Sequence, residues 1–376
     1  MSDGRNLAVF GAFRDDTVRR LRDAAASVGV ATSVVERCEH APAVLADLDP
    51  LAIVLNMASP GADPTCAHVR SQARFAHVPV FGVADERCDL SFTELFAWGG
   101  DDLVSLESAQ PILRRLRPLL ARAAGAPPSQ PSRGASAIVA GPDARWRSVM
   151  GRALYNGGFS VRFVSGSADL AEESLVEGVR VVVAVDDLAP EGALAALARA
   201  RARGSHAAWI VVAPPKRMRA VHAAVAPLGR VSVADGFAPP ENALFLANEL
   251  LARRRADQRS SARLLYGTTV AFRAAGRDED EIGFSYNASA GGAYVRTLAP
   301  LDAGQEVWLE MWPPRSERRV RLVGTVAWKR PFGPHERATV PAGFGVKITA
   351  GLGDDLERWR AGYEAFADSL LGRASG

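Results

Sequence analysis

The feature that most constrains this chain is a repetition. Two stretches of about 120 residues carry the same order of apolar runs. They are separated by Gly125-Ala126-Pro127-Pro128-Ser129-Gln130-Pro131-Ser132-Arg133-Gly134, a Pro/Ser/Gly-rich segment without apolar periodicity that reads as a linker. Each stretch opens on a short apolar run, Leu7-Ala8-Val9-Phe10 and Ala137-Ile138-Val139-Ala140, followed by a helical pattern over residues 17–28 and 145–156. Each continues with an apolar run that ends on a polar residue and has a proline four positions on: Ala52-Ile53-Val54-Leu55-Asn56 with Pro60, and Val181-Val182-Val183-Ala184-Val185-Asp186 with Pro190. Later runs are Val78-Pro79-Val80-Phe81 and Trp209-Ile210-Val211-Val212. Continuous rather than alternating apolar strands, interleaved with helices, predict parallel sheets covered on both faces.

Beyond these stretches the pattern changes. Residues 241–255 carry Ala243, Leu244, Leu246, Ala247, Leu250 and Leu251 at helical spacing. Short strand-like runs punctuated by Gly and Pro follow. Residues 264–272 read as a first strand, then come Gly292-Ala293-Tyr294-Val295, Val307-Trp308-Leu309-Glu310-Met311, Gly324-Thr325-Val326-Ala327-Trp328 and Gly343-Phe344-Gly345-Val346-Lys347-Ile348. That spacing predicts an antiparallel sandwich or barrel. Residues 354–371 return to helical spacing with Leu356, Trp359, Tyr363, Phe366 and Leu370, an aromatic stripe suited to packing across one end of a barrel or to holding a partner.

Composition excludes several classes. A 48% apolar content is ample for several cores, yet no stretch of about 18 uncharged apolar residues occurs, so no membrane insertion is expected. The opening residues lack a charged segment followed by a long apolar one, so no signal peptide is expected and a cytoplasmic location is. Three cysteines, Cys38, Cys66 and Cys88, without CxxC spacing argue against a disulfide framework and a zinc site. The net charge of +3 is too small to suggest nucleic acid, but it is unevenly placed. Residues 253–350 hold 16 Lys and Arg against 10 Asp and Glu, which leaves the remainder of the chain at −3. The six histidines are scattered and no Ser-His-Asp, HExxH or phosphate-loop spacing is present, so no enzyme is expected.

The residues with chemistry to offer sit in the basic region. Arg259 and Arg263 lie four apart just before the first strand, and Asn287, Ser289, Gly291 and Gly292 read as a turn. Either element alone is weak, since Arg255 and Arg259 repeat the first spacing. A guanidinium fork, however, fits both phosphate oxygens and the O6/N7 edge of guanine. In this order the two elements resemble the PilZ domain, a small β-barrel whose RxxxR arm and [DN]xSxxG turn bind cyclic di-GMP. The resemblance spans residues 253–349. It implies that Arg259 and Arg263 grip phosphate and guanine, that Asn287 and Ser289 hydrogen-bond guanine, and that Gly291 and Gly292 let the ligand approach the backbone. Cyclic di-GMP is then a ligand, and no cofactor or metal is implied.

The duplicated stretches resemble the receiver domain of two-component signalling, a flavodoxin-like fold. That family's phosphorylation needs an acidic pair after strand one, an Asp after strand three, Thr or Ser after strand four and Lys after strand five. The first copy places Gly11-Ala12, Asn56, Ala84 and Leu106 there, so it retains no metal ligand and no nucleophile. Gly100-Asp101-Asp102 resembles the turn before strand five. The second copy keeps Asp186 alone, with Gly141-Pro142, a late Asp143, Ala213 and Ala238 elsewhere, so Asp186 is at most a vestigial phosphoacceptor.

The expected architecture is therefore two α/β flavodoxin-like, doubly wound parallel-sheet domains followed by an all-β PilZ barrel with a C-terminal helix. Its parts are a pseudo-receiver at 1–124, a linker at 125–134, a second pseudo-receiver at 135–252, and the barrel with its arginine arm and helix at 253–376. The expected function is a non-catalytic effector that relays cyclic di-GMP level to protein partners through the receiver-like domains, with homodimerisation a further expectation and motility or exopolysaccharide regulation the kind of process implied. The rivals are a scaffold with a vestigial ligand site and a phospho-response regulator acting through Asp186.

Overall fold

A computed structural model describes residues 5–123, 136–236, 238–252, 263–333 and 340–371. The expected linker and the arm up to residue 262, Arg259 included, lie outside the described residues. In the first stretch the apolar runs become β1 (Asn6–Phe10), β2 (Ala31–Val35), β3 (Pro50–Asn56), β4 (Val80–Val83) and β5 (Asp102–Leu103), alternating with α1 (Asp15–Ser27), α2 (Ala41–Ala46), α3 (Ala62–Ser71), α4 (Asp89–Trp98) and α5 (Gln110–Ala123). All pairings are parallel, in the order β2-β1-β3-β4-β5. Side chains alternate across the sheet. Leu7 and Val9 pack with Leu21 of α1 and Leu116 of α5, whereas Ala8 and Phe10 pack with Leu45 of α2 and Cys66 of α3.

The second stretch repeats this order with β6 (Ser136–Ala140), α6 (Ala144–Asn156), β7 (Ser160–Val164), α7 (Ser167–Glu173), β8 (Val179–Val185), α8 (Ala193–Ala202), β9 (Ala208–Ala213), α9 (Pro215–Val225), β10 (Val231–Asp235) and α10 (Asn242–Ala252). Its sheet runs β10-β9-β8-β6-β7, again all parallel. Both orders are the flavodoxin-like doubly wound arrangement.

The third unit comprises β11 (Leu264–Leu265), β12 (Thr269–Ala274), β13 (Glu281–Ser289), β14 (Gly292–Arg296), β15 (Glu306–Met311), β16 (Val320–Arg330), β17 (Gly343–Gly351) and α11 (Asp355–Leu371). Six antiparallel strands close a ring, β13-β12-β15-β16-β17-β14 and back to β13, around Val270, Phe272, Val295, Leu309, Leu322 and Phe344. The aromatic stripe of α11 packs on this barrel. Trp359 and Tyr363 join its core, Phe366 meets the Tyr266 ring at 5.8 Å, and Trp359 Nε1 donates to Ser289 O at 3.3 Å.

The first strand of the barrel differs from expectation. Residues 264–272 are not one run, because the register on β13 slips by one residue between the Leu265–Asn287 and Thr269–Phe284 pairs. The Ser285 hydroxyl fills the gap, donating to Tyr266 O at 2.6 Å and accepting from Thr268 N at 2.9 Å. A bulge of this kind bends the strand and re-aims the residues beside it.

The three units are clamped together by polar and aromatic contacts. Asp89 of α4 accepts from Thr269 N at 2.6 Å and from the Thr268 and Thr269 hydroxyls at 3.1 and 2.7 Å, all at that bulge. Phe284 of the barrel lies 5.2 and 5.6 Å from the rings of Phe92 and Phe96 of α4. Arg296 of the barrel forms a bidentate pair with Glu241, just before α10, at 2.8 Å for each bond. Its guanidinium also lies 3.4 Å from the centroid of the Phe96 ring, so one side chain touches all three units.

Candidate functional site

The degenerate receiver positions are occupied by structural interactions. Asn56, at the end of β3, donates from its amide to Ala12 O and accepts from Ala58 N at 3.1 Å, and the Ser59 hydroxyl accepts from Ala12 N at 3.0 Å. An amide thus cross-links the loops where a phosphoacceptor would stand. Asp186 follows β8 directly, is buried, and lies 3.0 Å from Arg217 Nε of α9. Burial raises its pKa, and the Arg217 charge only partly offsets this. Asp143 accepts from Arg145 N and Trp146 N at 2.7 and 3.2 Å, which makes it the N-cap of α6 rather than half of a metal site. Among the described residues no cluster of carboxylate, His and Cys side chains suits a metal ion.

The barrel holds a different kind of site. Arg263, Asn287, Ser289, Gly291 and Gly292 line a single pocket of about 180 Å³. The remaining arginine of the expected set, Arg259, is outside the described residues. Asn287 and Ser289 do not lie in a turn, as the sequence suggested. They are the last residues of β13, and the turn is only Ala290-Gly291, closing a tight hairpin in which Ser289 pairs with Gly292. Strand alternation then explains the spacing, since residues two apart face the same side. The two glycines also differ. Gly291 is exposed with open space where a Cβ would stand, compatible with a ligand against its backbone. At Gly292 a Cβ would sit 2.5 Å from Val346 O, so this glycine is required by the approach of β14 to β17.

Sequence reasoning missed two side chains that line the same pocket, Trp328 of β16 and Lys347 of β17. Lys347 adds an exposed cation to the lining. The Trp328 indole lies over Gly345, where a Cβ would come within 2.7 Å of Nε1. The signal for it was a Trp on a late strand facing a Gly-x-Gly run, which becomes legible only once β16 and β17 are paired. From Trp328 a file of rings leads inward: Tyr294 at 5.0 Å, Tyr286 at 6.1 Å from Tyr294, and Phe245 of α10 at 6.4 Å from Tyr286. The hydroxyl of Tyr286 donates to Glu241 O at 2.7 Å, and that of Tyr294 to Pro341 O at 2.7 Å. Burial pushes both phenols well above the ordinary tyrosine pKa, so both stay neutral donors.

Below that file is the junction of the three units, built on the Asp pair read from sequence only as a fold mark. Asp101 accepts from Arg70 at 3.0 Å within its own domain and from Arg152 of α6 at 2.7 and 3.0 Å. Burial opposes its ionisation, but Arg152 and Arg70 outweigh burial and hold the carboxyl below the usual range. Asp102 turns toward the barrel, accepting from Leu298 N at 2.8 Å, Thr297 Oγ1 at 3.0 Å and Arg115 Nε at 2.9 Å. Here burial prevails and the carboxyl is raised. Arg115 also donates to Glu281 of β13 at 2.9 Å, and these two carboxylates hold its pKa above normal despite burial. Consecutive residues therefore fasten the first domain to two different neighbours.

Residues 254–361 match the family model for the PilZ domain, a family of cyclic di-GMP receptors. No curated protein matches the chain. Among solved structures, an inhibitor of motility from Bacillus subtilis is 18% identical over 32% of this chain and 55% of its own, with a TM-score of 0.26. A response regulator/GGDEF domain protein is 16% identical over 66% of this chain and 98% of its own, with a TM-score of 0.32. A two-component response regulator from Clostridium difficile is 15% identical over 32% of this chain and 99% of its own, with a TM-score of 0.29. These are partial overlaps, and the receiver-like fold stands on the two strand orders themselves. No helix among the described residues is long and apolar enough to cross a membrane.

Proposed function

With residues 254–361 a PilZ domain, we propose that this protein is a non-catalytic cyclic di-GMP effector whose barrel senses the ligand and whose receiver-like domains pass its presence to protein partners. The observation that carries this reading is the convergence of Arg263, Asn287, Ser289, Gly291 and Gly292 on one pocket. A volume of about 180 Å³ is below the roughly 300–1,000 Å³ that encloses a whole small ligand. The pocket would accept one guanine edge and an adjoining phosphate, and Arg259 on the arm would take the remaining charge. Trp328 offers a face for a base, a contact of about 1–3 kcal/mol, and Lys347 a second cation for phosphate. The occupied loops around Asn56 and the Arg217-paired Asp186 favour this reading over a phospho-response regulator.

Calorimetry on the full-length chain tests it. Wild type should bind cyclic di-GMP, with Arg263→Ala weaker by about 2–3 kcal/mol and Asn287→Ala by about 1 kcal/mol, the scale of charged and neutral hydrogen bonds. Arg255→Ala should matter least, since it belongs to the chance repeat of the arginine spacing. Absence of any binding heat would leave the scaffold reading in its place.

A further inference from the structure

A cleft of about 590 Å³ opens between the two receiver-like domains, and it shares no residue with the barrel pocket. Its size falls among pockets that enclose small ligands, and it combines two favoured locations: a domain boundary and the C-terminal ends of parallel strands. From the first domain, α4 contributes Leu90, Ala97 and Trp98. From the second come Trp146 of α6, Asp235 at the end of β10 and Asn242 at the start of α10. The walls are chiefly apolar, with two half-buried indoles. Leu90 is 74% exposed, the most exposed large apolar side chain among the described residues.

The charge on this cleft is one-sided. Glu94 and Asp143, both exposed, line it, and the guanidinium in the lining, that of Arg145, is paired with Asp63 of the first domain. Asp143 accepts two backbone hydrogen bonds as the cap of α6. An anion would meet this rim unfavourably, whereas an ammonium group would meet carboxylates and indole faces together. We propose that the cleft is a second small-molecule site, selective for a ligand with a flat apolar body and an ammonium group. Because its walls come from two domains, occupancy ties α4 to α6 and α10.

Tryptamine and indole-3-acetate share a ring system and differ in charge, and both can be titrated calorimetrically into the full-length protein. Tryptamine should saturate at one molecule per chain and bind at least about tenfold more tightly than indole-3-acetate, a difference of about 1.4 kcal/mol. Ala97→Trp, at an exposed position of α4, should fill the cleft and weaken tryptamine by about tenfold or more, leaving cyclic di-GMP binding at its wild-type value. Should that variant fold poorly, Glu94→Gln should weaken tryptamine without weakening indole-3-acetate. No saturable tryptamine binding, equal binding of the two probes, or tryptamine affinity untouched in a folded variant would each overturn the assignment. Loss of cyclic di-GMP binding in wild type would bear only on the barrel.

Discussion

The two receiver-like domains share a strand order and a core plan, yet they carry their charges differently. In the first, the buried charges face outward to neighbours: Asp101 to the second domain, and Asp102 and Arg115 to the barrel. In the second, Asp186 is answered within its own domain by Arg217, a residue 48% exposed. The first domain has been made into a keystone whose later elements, α4, β5 and α5, are covered by the chain's own barrel. Among the described residues, the second meets the barrel around α6 and α10. The two copies of one fold thus spend their surfaces on different contacts.

The comparison is broken most directly at Arg115. Arg115→Met leaves Asp102 and Glu281 buried without their shared cation and should cost about 3–5 kcal/mol in chemical denaturation. A loss below about 1 kcal/mol would mean that the first domain is no keystone. Arg296→Lys comes next. A single ammonium cannot reproduce the bidentate grip on Glu241 or the stacking on Phe96, and about 1.5–3 kcal/mol should be lost.

A smaller effect is expected from pH. Asp101 has a depressed native pKa, so its contribution is fully present above the usual value of 3.8 and is lost as pH falls through the native value. Small-angle scattering should therefore show the first two domains holding their arrangement near neutrality and separating only below about pH 4. Separation between pH 5 and 7 would assign the contact to another group. Arg217→Met should cost under about 1 kcal/mol, because Arg217 itself is 48% exposed and solvent screens the pair from its side. A loss comparable to that at Arg115 would erase the distinction between the domains. The smallest expected effect is none: a small phosphodonor with Mg²⁺ should add no mass to wild type. A phosphoryl mass that vanishes in Asp186→Asn would restore chemistry to the second domain.

Much of the architecture was legible because periodicity is local. Continuous apolar runs such as Val181-Val182-Val183-Ala184-Val185 have few options besides a doubly covered parallel strand. The pocket residues were legible as types and spacings, although Asn287 and Ser289 proved to be strand residues; Asn, Ser and Gly favour turns in general, and only pairing to β14 shows where the strand ends. The bulge at residues 266–268 was illegible because it arises from a slip between strands, bridged by the Ser285 hydroxyl some seventeen residues away. The junction was illegible for a stronger reason. Asp101 and Asp102 mark a turn in one domain, but their partners Arg152, Thr297 and Leu298 belong to others, and no local pattern joins them.

The file of rings from Trp328 through Tyr294 and Tyr286 to Phe245 has a consequence that runs opposite to the signal. If ligand at Trp328 changes how α10 is held, thermodynamic reciprocity requires that any partner gripping α10 change the affinity for ligand by the same factor. The messenger concentration at which this protein responds is then a property of the assembled complex, set in part by whichever partner is present. One chain bound to two different partners would read two different thresholds.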